Sequence, residues 1–168
     1  MCAFERSEKG MEFNMKIDIR EANMNDLIHI QNLNNSLFDL EYNNYDSTLK
    51  LGWPFEKEGK EYFIDRINNN LIFVAEINGK IVGYLAGNIL EEISYSVETF
   101  AELDNMCIDT NYRGYGIGSK LIDKFKNYCK NIGIENIKVT AYAHNKQAIN
   151  FYMKNGFQDY NTTLIFKI

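Results

Sequence analysis

Apolar and polar positions follow two different periods along this chain, and the switches between them mark its elements. Ile17 and Ile19 alternate with polar neighbours and predict a short strand over residues 16–20. Leu27, Ile30, Leu33, Leu37 and Phe38 then keep helical spacing, with Asn23 or Asn25 available as N-cap. The pattern lapses over residues 39–55, where Tyr42, Tyr45, Trp53 and Pro54 sit among Asn, Asp and Glu. Such a segment either lines a pocket for an apolar or cationic ligand or plugs the core beneath a loop. A second helix is predicted over Lys57–Asn68, with Tyr62, Phe63 and Ile67 facing inward.

Residues 71–77 and 81–89 are apolar runs joined by Asn78-Gly79, the pair that a two-residue hairpin turn favours. Residues 91–97 connect them to a further strand, Phe100–Ile108. A third helix follows, because Ile117, Leu121, Ile122, Phe125, Cys129 and Ile132 form one apolar stripe. Residues 135–143 predict another strand. Asn145 caps a short helix through Lys154, Gly156 is placed to end it in the left-handed conformation, and residues 157–168 supply a last strand or hairpin. The predicted order is β-α-α-β-β-β-α-β-α-β.

Chemistry enters between the strand at Phe100–Ile108 and the third helix, where the chain reads Arg113-Gly114-Tyr115-Gly116-Ile117-Gly118-Ser119. The first turn of a helix carries unpaired N–H groups and the positive end of the dipole, and residues without Cβ let a ligand approach them. Arg113 adds a side chain able to grip phosphate oxygens in pairs, so the segment is suited to an anion. A single glycine would only make the turn; this many with an arginine exceed that need. The dinucleotide fingerprint GxGxxG is not what is spelled, since the spacing is GxGxG and the turn follows a meander of strands instead of the first strand.

In the form Arg-x-x-Gly-x-Gly (Arg113, Gly116, Gly118), the segment resembles the acyl-CoA pyrophosphate loop of the GCN5-related N-acetyltransferases, the GNAT family. A second segment, Asn145-x-x-Ala148-x-x-x-Tyr152-x-x-x-Gly156-Phe157, is similar to another of the family's motifs, and the order of elements agrees as well. The resemblance covers residues 16–168 and is strongest over 98–157. It implies a single-domain α/β acyl-CoA N-acyltransferase fold with a mixed, mostly antiparallel sheet flanked by helices. Residues 1–14 are then a loose tail and 15–168 the domain, and Met11 and Met15 are each possible starts.

For function the resemblance implies transfer of an acetyl group from acetyl-CoA to a primary amine by direct attack. The cofactor would touch Met106, Cys107 and Ile108 along the strand, then Arg113, Gly114, Tyr115, Gly116, Ile117, Gly118 and Ser119, and finally Asn145 and Tyr152. Tyr152 matches the tyrosine assigned as general acid near the sulfur; its alternative is a packed tyrosine on the inner face of the last helix. Asn145 is equally well explained as an N-cap. Glu102 is the leading candidate for the base, Asp104 its substitute on the same face of an unbroken strand, and water the third possibility. A bulge in that strand would change which acid faces the cleft. Thr110 departs from the family, which often has proline there.

Composition narrows the picture further. The chain has 168 residues, 45% of them apolar, and a formal net charge of −5 with pI near 5.1. That suits one soluble domain and argues against nucleic acid as partner. Cys2, Cys107 and Cys129 show neither disulfide nor zinc spacing, so no metal is expected, and His29 and His144 read as surface residues. No apolar run spans a membrane and no secretion signal opens the chain, which points to the cytoplasm. A small-molecule amine is the favoured acceptor, with a homodimer possible. The rivals are a non-catalytic acyl-CoA-binding or regulatory module and an acetyltransferase of protein N-termini or lysines.

Overall fold

The structure, a computed structural model, describes residues 16–90 and 98–166. The expected tail and the connection at 91–97 lie outside the described residues. The elements are β1 (Asp18–Glu21), α1 (Leu27–Asn44), α2 (Lys57–Asn68), β2 (Ile72–Ile77), β3 (Lys80–Ile89), β4 (Phe100–Ile108), α3 (Ile117–Asn131), β5 (Asn136–Val139) and α4 (Lys146–Lys154). The strands form one sheet in the order β1-β2-β3-β4-β5, antiparallel throughout except for the parallel pair β4 and β5. The expected mixed, mostly antiparallel sheet flanked by helices is therefore present. Asn78 and Gly79 both take positive φ, 51° and 78°, as the tight turn from β2 to β3 requires.

Both faces of the sheet are covered, which is why β2 and β3 read as continuous apolar runs. Phe73, Ala75, Val82 and Leu85 pack with Leu121, Ile122 and Phe125 of α3. On the opposite face Ile72, Val74, Ile81 and Tyr84 pack with Ile30 of α1 and Phe63 and Ile67 of α2.

Two expectations are corrected. First, α1 runs on to Asn44, well beyond Phe38, because Leu27, Ile30, Gln31 and Asn34 form its buried stripe and tertiary packing outweighs the polar composition of its last turns. Trp53 stacks on Phe38 at 5.5 Å and meets Tyr62 and Phe63, while the Pro54 carbonyl accepts from Gln31 Nε2 at 2.6 Å. Trp53 and Pro54 plug the core, whereas Tyr45 stacks on Tyr142 instead. Second, residues 157–166 form no strand, and Tyr160, Leu164, Ile165 and Phe166 are exposed. Strand propensity is expressed through a pairing neighbour, and this segment has none in the sheet of five strands.

The start of the domain is pinned by Arg20, whose guanidinium donates to both oxygens of Asp26, at 2.7 and 2.9 Å, and to Glu76 Oε2 at 2.8 Å. Burial works against the charge on Asp26, but the hydrogen bonds from Arg20 and the Asn23 amide outweigh it and hold the carboxyl below its ordinary value. A depressed folded value means that the stabilisation is fully present above about pH 4 and is lost as pH falls through the folded value. Asp26→Asn should cost about 1–3 kcal/mol at pH 7 in urea unfolding, since Arg20 is partly exposed, and should flatten the acid dependence of stability.

Candidate active site

The site begins with a defect in β4. Ala86 and Gly87 are consecutive on β3 but pair with Asn105 and Leu103, so Asp104 is an extra residue in β4. The bulge reverses the alternation of side chains. Ala101 and Leu103 face α3 and so do Met106 and Ile108, whereas Cys107 joins the core under α1 and α2. At the same point β5 stops following: it pairs only with Phe100–Leu103. From Asp104 to Ile108 the edge of β4 that faced β5 has no partner strand among the described residues, leaving main-chain donors and acceptors there for an extended ligand.

The glycine segment lies just beyond this open edge. Gly116 is the N-cap of α3 with φ +77°, and no side chain caps the helix, so the amides of its first turn are available. A Cβ built on Gly114 or Gly116 meets nothing within 4 Å, which leaves room for a ligand against the backbone. Gly118 is different, because a Cβ there would lie 2.8 Å from Cζ of Phe151 on α4. Its bare backbone serves the contact between two helices. Arg113 folds back so that its Nε donates to the Ile108 carbonyl at 3.1 Å. A cavity of about 380 Å³ adjoins it, walled by Leu33, Ser36 and Leu40 of α1 and by Cys107, Ile108 and Arg113.

On α4, Asn145 caps the helix by accepting from the Ala148 amide at 3.0 Å, and Gly156 closes it with φ +92° while the Phe157 amide donates to the Tyr152 carbonyl. The Tyr152 ring is packed between Phe151 and Phe157 at 5.5 and 5.6 Å, but its hydroxyl has no hydrogen-bond partner among the described residues. Burial, with the charge of Glu41 adding, pushes that hydroxyl up to about 12. Tyr115 is exposed and Ser119 half-buried on the first turns of the segment.

The two β4 carboxylates are placed differently. Glu102 lies in the paired half of the strand, between Asn88 on β3 and Lys138 on β5. Asp104 accepts from the Tyr62 hydroxyl at 2.8 Å, with Arg66 Nε at 3.6 Å. It ends a polar chain that runs one way: Asn34 Nδ2 donates to the Tyr84 hydroxyl at 2.8 Å, Tyr84 to Asn105 Oδ1, Asn105 Nδ2 to the Tyr62 hydroxyl at 3.2 Å, and Tyr62 to Asp104. Asn34 and Tyr84 are fully buried, and burial drives the Tyr84 and Tyr62 hydroxyls far up. Sequence reasoning missed Asn34, Tyr84 and Asn105, since only the bulge brings Asn105 to that face. It also missed Glu41, which continues the helical spacing of Asn34 and was hidden by the polar lapse after Phe38. Among the described residues no three His, Cys, Asp or Glu side chains converge as a metal site, and no helix is long and apolar enough to cross a membrane.

A cleft opened by a bulged strand beside an uncapped, glycine-rich helix start is an arrangement for an anionic ligand with an extended arm. Residues 31–157 match the model of the acetyltransferase (GNAT) family, and the chain belongs to that family. The uncharacterized N-acetyltransferase MJ1207 of Methanocaldococcus jannaschii is 36% identical over 52% of this chain, which spans only 38% of that relative's length. The L-amino acid N-acetyltransferase AaaT of Escherichia coli is 28% identical over 68% of each chain. An N-alpha-acetyltransferase of Sulfurisphaera tokodaii is 26% identical over 93% of this chain and 86% of its own.

Solved structures agree in fold. The aminoglycoside N-acetyltransferase AAC(6')-Iy in complex with CoA superimposes with a TM-score of 0.75 at 15% identity, covering 94% of this chain and 98% of that one. A predicted acetyltransferase from Clostridium acetobutylicum with acetyl-CoA gives 0.68 at 24% identity, over 90% and 96% of the two chains. The aminoglycoside acetyltransferase meta-AAC0020, from an uncultured soil metagenomic sample and in complex with sisomicin, gives 0.68 at 25%, over 90% and 95%.

The roles of the glycines can be separated. Gly118→Ala should lower the thermal midpoint by several degrees through its clash with Phe151, and Phe151→Leu should recover part of the loss in the double variant. Differential scanning calorimetry of the four proteins checks this; a purely additive result would remove the helix contact as the reason for that glycine.

Proposed function

We propose that this chain is an N-acetyltransferase that moves an acetyl group from acetyl-CoA to a primary amine of a small molecule, by direct attack within a ternary complex. The observation that carries the reading is the open edge of β4 beyond Leu103, set beside the uncapped start of α3. The amides of Gly114 to Ser119 would hold the diphosphate, with space at Gly114 and Gly116 for its approach. The open main chain of Met106, Cys107 and Ile108 would hold the pantetheine arm as an added strand and offer an N–H to the carbonyl oxygen as charge develops there. The solved neighbours described with CoA and acetyl-CoA support this choice of cosubstrate.

The acceptor enters as an ammonium, since a free alkylamine titrates near about 10.4, and must lose a proton before its nitrogen attacks. A new C–N bond forms, the C–S bond breaks, the sulfur leaves as thiolate, and the nitrogen sheds its second proton to solvent as the amide forms. Tyr152 is the donor for that thiolate: its hydroxyl keeps its proton at neutral pH and is engaged by nothing else among the described residues. Cys107 is not a nucleophile in this reading, because burial pushes its thiol up to about 11 and it stays protonated.

A small-molecule acceptor is supported by relatives described as acting on L-amino acids and aminoglycosides. A second reading, a protein N-terminus, has its own support in the N-alpha-acetyltransferase that aligns with 93% of the chain. Titration calorimetry with CoA should give saturable binding; no heat would refute the site, and binding without thioester consumption would leave a non-catalytic CoA-binding module. Acetyl-CoA consumption with spermidine, L-amino acids, sisomicin and a peptide bearing a free N-terminus then separates the acceptor classes. Tyr152→Phe should lower kcat about 100-fold while CoA affinity stays within twofold, and an unchanged rate would end its role as acid.

A further inference from the structure

We propose that Glu41 is the group that receives the acceptor's ammonium and takes its proton, an assignment that rests on the acetyltransferase reading. The placement follows from the register of α1. Asn34 is fully buried against β3 and β4, reaching Tyr84 and Asn105, and Glu41 lies seven residues further along the same helix. That is close to two full turns, or about 10.5 Å along the axis, so Glu41 returns to the sheet-facing side of the helix beyond the point where Asn34 meets β4.

The end of α1 is fastened to the far wall. Tyr45 stacks on Tyr142, which follows β5, with ring centroids 5.5 Å apart, and the Tyr142 hydroxyl donates to Asp46 Oδ2 at 3.3 Å. The helix thus bridges from β3 and β4 to the segment after β5, and Glu41 sits half-buried on its last full turn. The charge of its carboxylate is felt by Tyr84 on β3, Cys107 on β4, Tyr142 beyond β5 and Tyr152 on α4. Of these, β4 and the segment after β5 form the two sides of the opening.

No cation and no side-chain donor engages Glu41 among the described residues. The charged and titratable groups coupled to it are Asp46, just past the end of its own helix, and Tyr84, Cys107, Tyr142 and Tyr152 on the other elements, with Arg113 beyond Cys107. Burial, then the charge of Asp46, hold its carboxyl above the ordinary value. A half-buried carboxylate with no cation paired to it among the described residues is a seat for an ammonium. By contrast Asp104 is already held by Tyr62 and Arg66, and Glu102 stands between paired strands.

The proton account closes within the cleft. The ammonium N–H breaks and its proton goes to the Glu41 carboxylate, the freed lone pair forms the C–N bond, the C–S electron pair departs with sulfur, Tyr152 supplies the proton that the thiolate takes, and the second N–H proton, shed as the amide forms, goes to solvent. Neutralising Glu41 also removes the negative charge that opposes ionisation of Tyr152, so the first transfer eases the second. The proton on Glu41 then returns to solvent and Tyr152 is reprotonated from it.

The test compares wild type with Glu41→Gln, reading kcat/KM against pH with whichever of spermidine, L-amino acids, sisomicin or the peptide the wild type acetylates, alongside CoA titration. The expected result is CoA affinity within twofold of wild type, kcat/KM reduced about 100-fold, and loss of the acidic limb of the pH profile. An equal rate and profile in an active background overturns the role of Glu41 alone. A wild type that binds no CoA and acetylates none of these amines overturns the acetyltransferase reading itself. Should Glu41→Gln melt below the assay temperature, Glu41→Ala, with the best helix former, is judged by the same readings.

Discussion

The extra residue at Asp104 is the constraint on which the rest of the molecule depends. Without it, β4 would carry Ala101, Leu103, Asn105 and Cys107 on one face, and no single face of that strand would suit both cores. With it, the α3 side receives Leu103 and then Met106, and the other side receives Asp104, Asn105 and Cys107. The same irregularity coincides with the end of the pairing to β5. One inserted residue therefore sets the boundary between a strand that closes the sheet and a strand whose edge is left for a ligand.

The helices around that edge divide the work by chemistry. On one side α3 presents an uncapped start, and its glycines answer to different demands: Gly114 and Gly116 to positive φ and open space, Gly118 to the ring of Phe151. On the other side α1 and α2 present a buried polar chain from Asn34 to Asp104 in which each hydroxyl both accepts and donates. The chain runs in one direction from Asn34, whose own Oδ1 is buried without a partner among the described residues, and breaking a link further along would be costly. It anchors α1 over β4 and so sets where the last turn of that helix, with Glu41, comes to rest.

Electrostatics across the opening runs in a consistent sense. Tyr152, Tyr142 and Cys107 are all held in their protonated forms by burial, and the acidic groups near them, Glu41 and Asp46, add to that effect. Arg113 stands beside Cys107, but among the described residues no cation is paired with the Glu41 carboxylate. Under the proposed acetyltransferase reading, the acceptor's ammonium would supply the counter-charge that Glu41 lacks.

Much of this was legible in the chain itself. Local signals placed α2, β4, the start of α3 and the cap and end of α4, because a helix stripe, an Asn-Gly turn, an Asn N-cap and a C-terminal glycine act over a few residues. The motif at Arg113 to Gly118 and the one from Asn145 to Phe157 named the family for the same reason. What the sequence could not decide was anything set by distant neighbours. The length of α1 came from packing against β3 and β4, the missing last strand from the lack of a partner, and the bulge at Asp104 from two cores competing for one strand. Glu41 lies about sixty residues from β4 and more than a hundred from Tyr152 along the chain. Only the folding of α1 across the sheet, a matter of buried contacts and not of local pattern, brings its charge to bear on them.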